Sequence, residues 1–250
     1  MKAIGVIPAR WGATRFEGKV LANLLGKPVI QHVWENAKKA RTLDDLIVAC
    51  DDERILKAVE GFGGKAVYTS PSQPSGTDRL AEVVNEMDVD IIVNIQGDEP
   101  LIRPIMIDNL VMALQDEKTV QMATIIKKID DASELTNSNV VKVVVDKNGY
   151  ALYFSRYAIP YNRTSEVDPK KRPVYYKHIG VYAFTKDFLF TFKSLPHSSL
   201  ENAEKLEQLR ALEYGYKIKV VETKFDTVGV DRPEDLKRAE EALLREHETQ

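Results

Sequence analysis

Cysteine is almost missing from this chain: Cys50 is the only one among 250 residues. A single thiol excludes an intrachain disulfide framework and fits a reducing compartment. Long apolar runs are missing too. No uninterrupted stretch approaches the roughly 20 residues that span a bilayer, so no membrane insertion is expected. The opening MKAIGVIPAR turns polar after a very short apolar run and lacks the h-region of a secretory signal, so the expected location is cytoplasmic. Without such a signal, the glycosylation triplet Asn162-Arg163-Thr164 reads as chance. Neither sign of charge is in excess: 35 Lys and Arg oppose 38 Asp and Glu, a net charge of −3. That balance offers no surface for nucleic acid or an anionic membrane. An anionic ligand must therefore be met by local clusters of cations.

What is present is an ordinary globular mixture, 44% hydrophobic and 29% charged, long enough for a sizeable core in one generous domain or a domain with a smaller lobe. Short β-branched runs occur at AIGVIP, DLIVAC, KAVY, DIIVNI and MATIIK. Their near-continuous apolar character fits strands buried on both faces. Helical patterns lie between them. From Pro28 to Ala40 the residues Val29, Ile30, Val33, Trp34 and Ala37 fall on one stripe, and further helices begin near Asp52, Thr77 and Pro104. Such alternation predicts βαβ units and a mostly parallel sheet.

After about residue 140 the pattern changes. VVKVVVD and ALYFSR flank the turn Lys147-Asn148-Gly149, which predicts a hairpin. A polar loop is expected from Ala158 to Pro173, then a strand YKHIGVYAF, a helix AEKLEQLRALEYG, a strand KIKVVET and a charged helix from about Arg232. The expected architecture is one α/β domain with an antiparallel insertion forming a lid or a dimer surface. Its nucleotide-binding part covers about 1–130, a sugar-binding and dimerisation part about 131–225, and a C-terminal helix about 232–247.

The loop after the first strand, IPARWGATRFEGK, sits where open α/β sheets bind ligands. Between Pro8 and Lys27 it carries Arg10, Arg15, Lys19 and Lys27 against one acid, Glu17. Arginine forks and a lysine point charge suit polyphosphate oxygens, and Gly12 and Gly18 permit turns that aim N–H groups inward. It is not a P-loop, because Val20 stands where a Ser or Thr would touch magnesium, and G-x-G-x-x-G is absent. Charge alone leaves a solvated basic loop open; placement after the first strand favours phosphate.

The run VDIIVNIQGDEP ends a buried strand in Asp98 and Glu99. A carboxylate there lies beside the first loop if the two strands are neighbours, and a hard oxygen near a polyphosphate is a usual way to hold Mg²⁺. An acidic turn capping the next helix remains open. Asp231, with Glu234 three residues on and Pro233 between, resembles a capping box. On these residues alone the cap is favoured, although one oxygen can cap while the other binds metal.

In YKHIGVYAF, strand alternation puts His178, Gly180 and Tyr182 on one face and Ile179, Val181 and Ala183 on the other. A histidine, a gap and a phenol suit a polyhydroxy ligand, though a lone histidine is more often structural. On AEKLEQLRALEYG the stripe Leu206, Leu209 and Leu212 leaves Glu207 and Gln208 off it, as solvated polar groups or ligand contacts. Arg156 suits a substrate carboxylate or simply a neighbouring acid. Ser75, Gly76, Thr77 and Arg79 begin a helix, which is both an anion or ribose site and an ordinary cap.

Taken together, IPARWGATRFEGKVL, SGTDRLAEV, VNIQGDEPLI, VVKVVVDKNGYALYFSRYAIPY, HIGVYAF, LEQLRALEYG and GVDRPEDL resemble the 3-deoxy-manno-octulosonate cytidylyltransferases (CMP-KDO synthetases) over essentially the whole chain. IPAR with a basic glycine loop is shared with other sugar-activating nucleotidyltransferases; QGDEP with GYALYFSR and LEQLR is far more specific. The resemblance implies a nucleotide-diphospho-sugar transferase (Rossmann-like) fold, a homodimer and Mg²⁺ dependence. It implies transfer of CMP from CTP to the acidic eight-carbon sugar KDO, with release of pyrophosphate, for lipopolysaccharide synthesis. Carried onto this sequence, Arg10, Arg15 and Lys19 hold the triphosphate, and Ser75, Gly76, Thr77 and Arg79 help seat the nucleotide. Asp98 and Asp231 bind magnesium, with Gln96, Arg156, His178, Tyr182, Glu207 and Gln208 around the sugar. Asp98, Asp231, Lys19 and Arg10 are then the catalytic set.

Two departures stand out. Phe16-Glu17-Gly18-Lys19 replaces the family's common Leu-Pro-Gly-Lys, and Gly26-Lys27-Pro28-Val29 replaces Gly-Lys-Pro-Met. Glu17 must point away from a triphosphate if the cradle is drawn correctly. Rival readings are a cytidylyltransferase for another acid sugar such as sialic acid, separated by pyrophosphate release with each sugar, and a glycosyltransferase, which releases none from CTP. A non-catalytic nucleotide-binding module predicts binding without turnover.

Overall fold

The structure, a computed structural model, describes residues 1–12, 14–163 and 174–248. Strand β1 (Ala3–Ala9) runs through its centre. Ala3, Ile7 and Ala9 enter one hydrophobic cluster, Ile4 and Val6 the other. Both faces of the strand are therefore covered, which is why it reads as a continuous apolar run. A short 3-10 turn (Lys19–Leu21) and a small antiparallel pair, β2 (Asn23–Leu24) and β3 (Lys27–Pro28), lead into α1 (Val29–Ala37). Then come β4 (Asp45–Cys50), α2 (Glu53–Gly61), β5 (Ala66–Tyr68), α3 (Gly76–Val84), β6 (Ile91–Asn94), α4 (Pro104–Asp116) and β7 (Met122–Lys128). All five expected strands of this half are present, and α1 buries the expected stripe Val29, Ile30, Val33, Trp34 and Ala37. KAVY differs in burial. As β5 it closes one edge of the sheet, leaving Val67 and Tyr68 exposed.

The second half contributes α5 (Ser133–Thr136), β8 (Lys142–Val145), β9 (Ala151–Ser155), β10 (Tyr176–Thr185), α6 (Lys186–Ser194), α7 (Ser199–Glu204), α8 (Leu209–Glu213), β11 (Lys219–Thr223) and α9 (Pro233–Glu248). β8 and β9 form the expected hairpin, with Gly149 at φ +78° in its turn. The polar loop expected up to Pro173 lies outside the described residues from 164 onwards.

The sheet order is β11-β7-β10-β6-β1-β4-β5. The pairs β1–β4, β1–β6, β4–β5 and β7–β11 are parallel, and β10 lies antiparallel between β6 and β7. The β8–β9 hairpin extends antiparallel from β10. The fold is thus mixed α/β, a mainly parallel sheet with an antiparallel insertion. Helices α1, α2 and α4 cover one face; α3, α6 and α8 cover the other. Because β4 and β6 flank β1, the ends of β1 and β6 meet at a reversal of strand order, where such sheets form ligand crevices.

One expected element is corrected. AEKLEQLRALEYG is not a continuous helix: α7 stops at Lys205, which adopts a left-handed φ of 54°, and α8 starts afresh at Leu209. The break redirects the chain, so Gln208 is buried, 3% exposed, instead of lying off the buried stripe.

Candidate active site

The loop after β1 folds around Trp11. Its amide donates to Asp51 Oδ1 at 3.0 Å, its carbonyl accepts from Gly18 N at 2.9 Å, and its indole donates to Glu17 Oε1 at 2.6 Å. The Arg54 guanidinium lies over its ring, 3.4 Å from the centroid. Gly18 has φ +66°, and a Cβ there would stand 2.7 Å from the Trp11 ring, so both conformation and space demand glycine. Glu17 is spent outside on the indole, pointing away from the crevice as the cradle requires. The 3-10 turn that follows swings Lys19 inward.

Gly97 lets β6 end close against β1, for a Cβ there would lie 2.9 Å from the Pro8 carbonyl. Next to it, Asp98 Oδ2 accepts from Lys19 Nζ at 2.5 Å. Asp231 reaches the same ammonium with Oδ1 at 3.2 Å, while its Oδ2 lies 2.7 Å from Arg15 Nη1. The two carboxylates, far apart in sequence, thus converge on one cation. Burial would lower the Lys19 pKa, but bonds and charge from Asp98 and Asp231 outweigh it and raise it. Glu99 turns away into the protein, where burial, with Asp98 adding, pushes its carboxyl up to about 8. The capping reading of Asp231 is corrected. Its carboxylate makes no cap; Asp235 Oδ2 instead accepts from the amides of Asp231 at 3.1 Å and Arg232 at 2.9 Å.

These groups line a cleft of about 310 Å³ together with Arg10, Thr14, Gly76, Arg79 and Gln96. Eight of the expected site residues are therefore assembled there: Arg10, Arg15, Lys19, Gly76, Arg79, Gln96, Asp98 and Asp231. Arg79 is 3% exposed, pairs with Asp51 at 3.0 Å and also bonds Thr69. Ser75 spends its hydroxyl on its own helix, accepting from Asp78 N at 3.1 Å and donating to Asp78 Oδ2 at 2.7 Å.

A second group adjoins the cleft through Gln96 and the start of α3. Gln96 Nε2 donates to Asn94 Oδ1 at 3.3 Å, and Asn94 is the cross-strand partner of Tyr182. Tyr182 and His178 have ring centroids 5.4 Å apart, and His178 Nε2 shares a 2.9 Å bond with Thr124 Oγ1. Burial pushes the His178 pKa down to about 3 and the Tyr182 phenol upward. Between them, at an irregularity of β10, a Cβ on Gly180 would meet only open space, as the alternation predicts. Thr77 Oγ1 donates to Glu207 Oε2 at 2.9 Å, and burial raises the Glu207 carboxyl. Gln208 Nε2 is buried with no hydrogen-bond partner among the described residues.

Arg156 is not brought to this group. Its guanidinium donates to the carbonyls of Glu204 at 2.7 Å, Ser138 at 3.0 Å and Lys205 at 3.4 Å, lining a separate cavity beneath the hairpin. Its guanidinium is thus taken up by backbone carbonyls and not by a carboxylate.

Sequence reasoning passed over Asp51, which ties the basic loop to Arg79, and the buried Asn94 and Thr124, 4% and 0% exposed. The available signals were an acid closing DLIVAC and a lone polar residue inside each of the apolar runs DIIVNI and MATIIK.

Comparison with known proteins shows which family the chain resembles. Residues 4–218 match the family described as cytidylyltransferase. The chain is 50% identical to the 3-deoxy-manno-octulosonate cytidylyltransferase of Geotalea uraniireducens, with 98% of this chain and 100% of that one covered. It is also 50% identical to the protein of the same name from Geotalea daltonii, covering 97% and 98%. Among solved structures, a CMP:2-keto-3-deoxy-manno-octonic acid synthetase complexed with CTP superposes with a TM-score of 0.92 at 42% identity, covering 98% of this chain and 100% of that one.

Proposed function

Since the chain belongs to the cytidylyltransferase family, we propose that it transfers CMP from CTP to 3-deoxy-D-manno-octulosonate, giving CMP-KDO and pyrophosphate. The observation that carries this reading is the pair Asp98 and Asp231 converging on Lys19 in the cleft beside the basic loop. It is the layout needed to hold a polyphosphate next to a hydroxylated acid.

The reaction is an in-line attack of the sugar's anomeric hydroxyl on the α-phosphorus of CTP. Arg10, Arg15 and Lys19 offset the charge of the triphosphate and of the departing pyrophosphate. Arg79, held by Asp51, braces the nucleotide side of the cleft, with Ser75, Gly76 and Thr77 shaping the start of α3. Gln96, His178, Tyr182, Glu207 and Gln208 orient the sugar hydroxyls. Burial lowers the His178 pKa to about 3, so its neutral ring is a weak proton acceptor and acts by hydrogen bonding. Arg156 supports the sugar side from behind through the end of α7.

The donor set fits Mg²⁺. Two hard carboxylates, Asp98 and Asp231, already share one cation. One or two carboxylates with phosphate and water oxygens is the set Mg²⁺ prefers. Asp98 and Asp231 would hold it. When bound, it would neutralise phosphate charge and lower the pKa of the attacking hydroxyl.

Two further features belong to the same reading. No described helix is long and apolar enough to cross a membrane, and with a lone buried Cys50 the cytoplasm is the proposed compartment. Exposed Leu152, Tyr157, Tyr161 and Val174 around the hairpin support a homodimer formed there. Pyrophosphate release, followed with each of four nucleotides and with KDO or sialic acid, tests the function. Turnover confined to CTP with KDO is expected; equal turnover with sialic acid, or none with CTP and KDO, overturns it.

A further inference from the structure

Lys127 in β7 and Lys177 in β10 are direct cross-strand partners. Like charges directly opposite one another destabilise an antiparallel pair. These two are also largely withdrawn from water, their side chains 10% and 15% exposed. Such a pair persists only where anions offset it. Asp130 lies 3.2 Å from Lys127 and Glu134 lies 2.6 Å from Lys177. Among the described residues Asp226 alone reaches both, at 3.2 Å from Lys127 and 2.9 Å from Lys177. Burial would raise the Asp226 carboxyl, but its bonds to Lys177 and Lys127 outweigh this and hold it below the usual carboxylate range.

Asp226 belongs to the segment that leaves β11 and crosses the carboxyl edge of the sheet to deliver Asp231. At the far end of that segment, Val230 N donates to the Asp98 carbonyl at 2.8 Å, and Glu99 Oε1 stands 2.9 Å from where a Gly229 Cβ would be. Phe225 and Val230 rest on separate apolar clusters. Residues 224–231 thus form a strap, tied to the lysine pair at one end and to the backbone of Asp98 at the other.

We propose that the opposed Lys127 and Lys177 are a socket for Asp226, and that these three are positioning residues for the metal site, fixing the strap so that Asp231 is presented opposite Asp98. The proposal rests on the assignment of Mg²⁺ to that aspartate pair. None of the three lines the cleft. A preorganised pair of carboxylates binds a cation more tightly than the same pair on a loose strap, because the ordering cost has been met in folding.

The test uses the full chain with Asp226→Asn, Asp226→Glu and Lys177→Gln. Hydrogen exchange in the metal-free protein reads the strap itself. Binding of Mn²⁺ with CTP present and sugar absent, followed by electron paramagnetic resonance, reads the metal site. For Asp226→Asn and Lys177→Gln the Val230 amide is expected to exchange about tenfold faster. Mn²⁺ affinity is expected to fall roughly fivefold while kcat at saturating Mg²⁺ changes less than about twofold. Asp226→Glu should restore both readouts towards wild type. Unchanged exchange overturns the socket, and faster exchange with unchanged Mn²⁺ affinity overturns its link to the metal. If Asp226→Asn does not fold, Lys177→Gln, which leaves Asp226 paired with Lys127, decides the question. Mn²⁺ binding indifferent to Asp98→Asn overturns the metal assignment and with it this proposal, while the exchange result would still stand as a fact about the strap.

Discussion

Lys19 Nζ lies 2.5 Å from Asp98 Oδ2, joining the loop after β1 to the end of β6 by an ion pair whose side chains are only 14% and 26% exposed. Asp231 shares the same ammonium. Removing the cation leaves two carboxylates facing each other. Lys19→Met is therefore expected to lower stability by ~1–2 kcal/mol, the cost of breaking a buried pair reduced for its partial exposure. Added Mg²⁺ should recover more stability in the variant than in wild type, since it would supply the missing charge. Urea unfolding with and without Mg²⁺ checks both; an equal Mg²⁺ response in the two proteins would count against a shared cation site. The Lys19 pKa is raised above its unfolded value, so its stabilising contribution is complete below about pH 10.4 and is lost only as pH rises through the folded value.

Asp231 and Asp235 divide cation pairing from capping. Asp235 holds the amides at the start of α9, and Asp231 holds cations. Asp231→Asn should reduce pyrophosphate release about a hundredfold or more, ~3 kcal/mol of barrier, with little change in stability. Asp235→Ala should cost ~1 kcal/mol of stability, as loss of a helix cap does, and leave most activity. Thermal melts and steady-state kinetics on the two variants would show this crossed pattern. Asp98→Asn should follow Asp231→Asn, and near-normal turnover at saturating Mg²⁺ would contradict the proposed chemistry.

The same residues mark how far the sequence could be read. The five longer strands and four helices up to Lys128 were legible because each has one periodicity and, as at Asp52 or Ser75, an ordinary cap, whereas the 3-10 turn and the two-residue strands β2 and β3 are too short to show one. The anion loop was legible because its cations are contiguous. Asp231 looked like a cap because Pro233 and the nearby acids are local, whereas its partners Lys19 and Arg15 arrive through the fold. The break at Lys205 was invisible: a lysine in the left-handed region carries no composition signal, and the Arg156 guanidinium that binds the carbonyls there comes from just beyond β9. The strap was illegible for a related reason. Opposed lysines appear only once the register of β7 against β10 is known.

His178 yields a pH prediction with a definite sign. Its folded pKa is about 3, depressed by burial, so the folded protein resists a proton that the unfolded chain accepts near pH 6.5. The group leaves stability unchanged above pH 6.5. Below it, stability falls by about 1.4 kcal/mol per pH unit until the folded value is reached. His178→Gln keeps a polar partner for Thr124 but does not titrate, so its stability should fall less steeply than wild type between those limits. Unfolding across the acid range measures the difference, and NMR of the ring should show His178 neutral at pH 5. A protonated ring at that pH would refute the assigned role in orienting the sugar as a neutral group.

The hairpin supplies the last prediction. Leu152 is 61% exposed on β9, and Tyr157 and Tyr161, 81% and 86% exposed, follow it. A large apolar side chain on an outward strand face, next to two nearly bare tyrosines, is unfavourable in water unless another surface covers it. A second copy of this hairpin can do so reciprocally, since a two-fold contact sets the same patch against itself. Leu152→Glu would then place like charges across the axis and remove apolar burial. The dimer dissociation constant should rise about a hundredfold or more, ~3 kcal/mol, a loss within the range of an interface hot spot. Sedimentation velocity over a concentration series measures it. Because Leu152 points away from the core, far-ultraviolet circular dichroism should stay unchanged, which separates lost association from lost folding. A wild-type chain that remains monomeric at micromolar concentration would remove the hairpin as an interface and leave its exposed tyrosines to another partner.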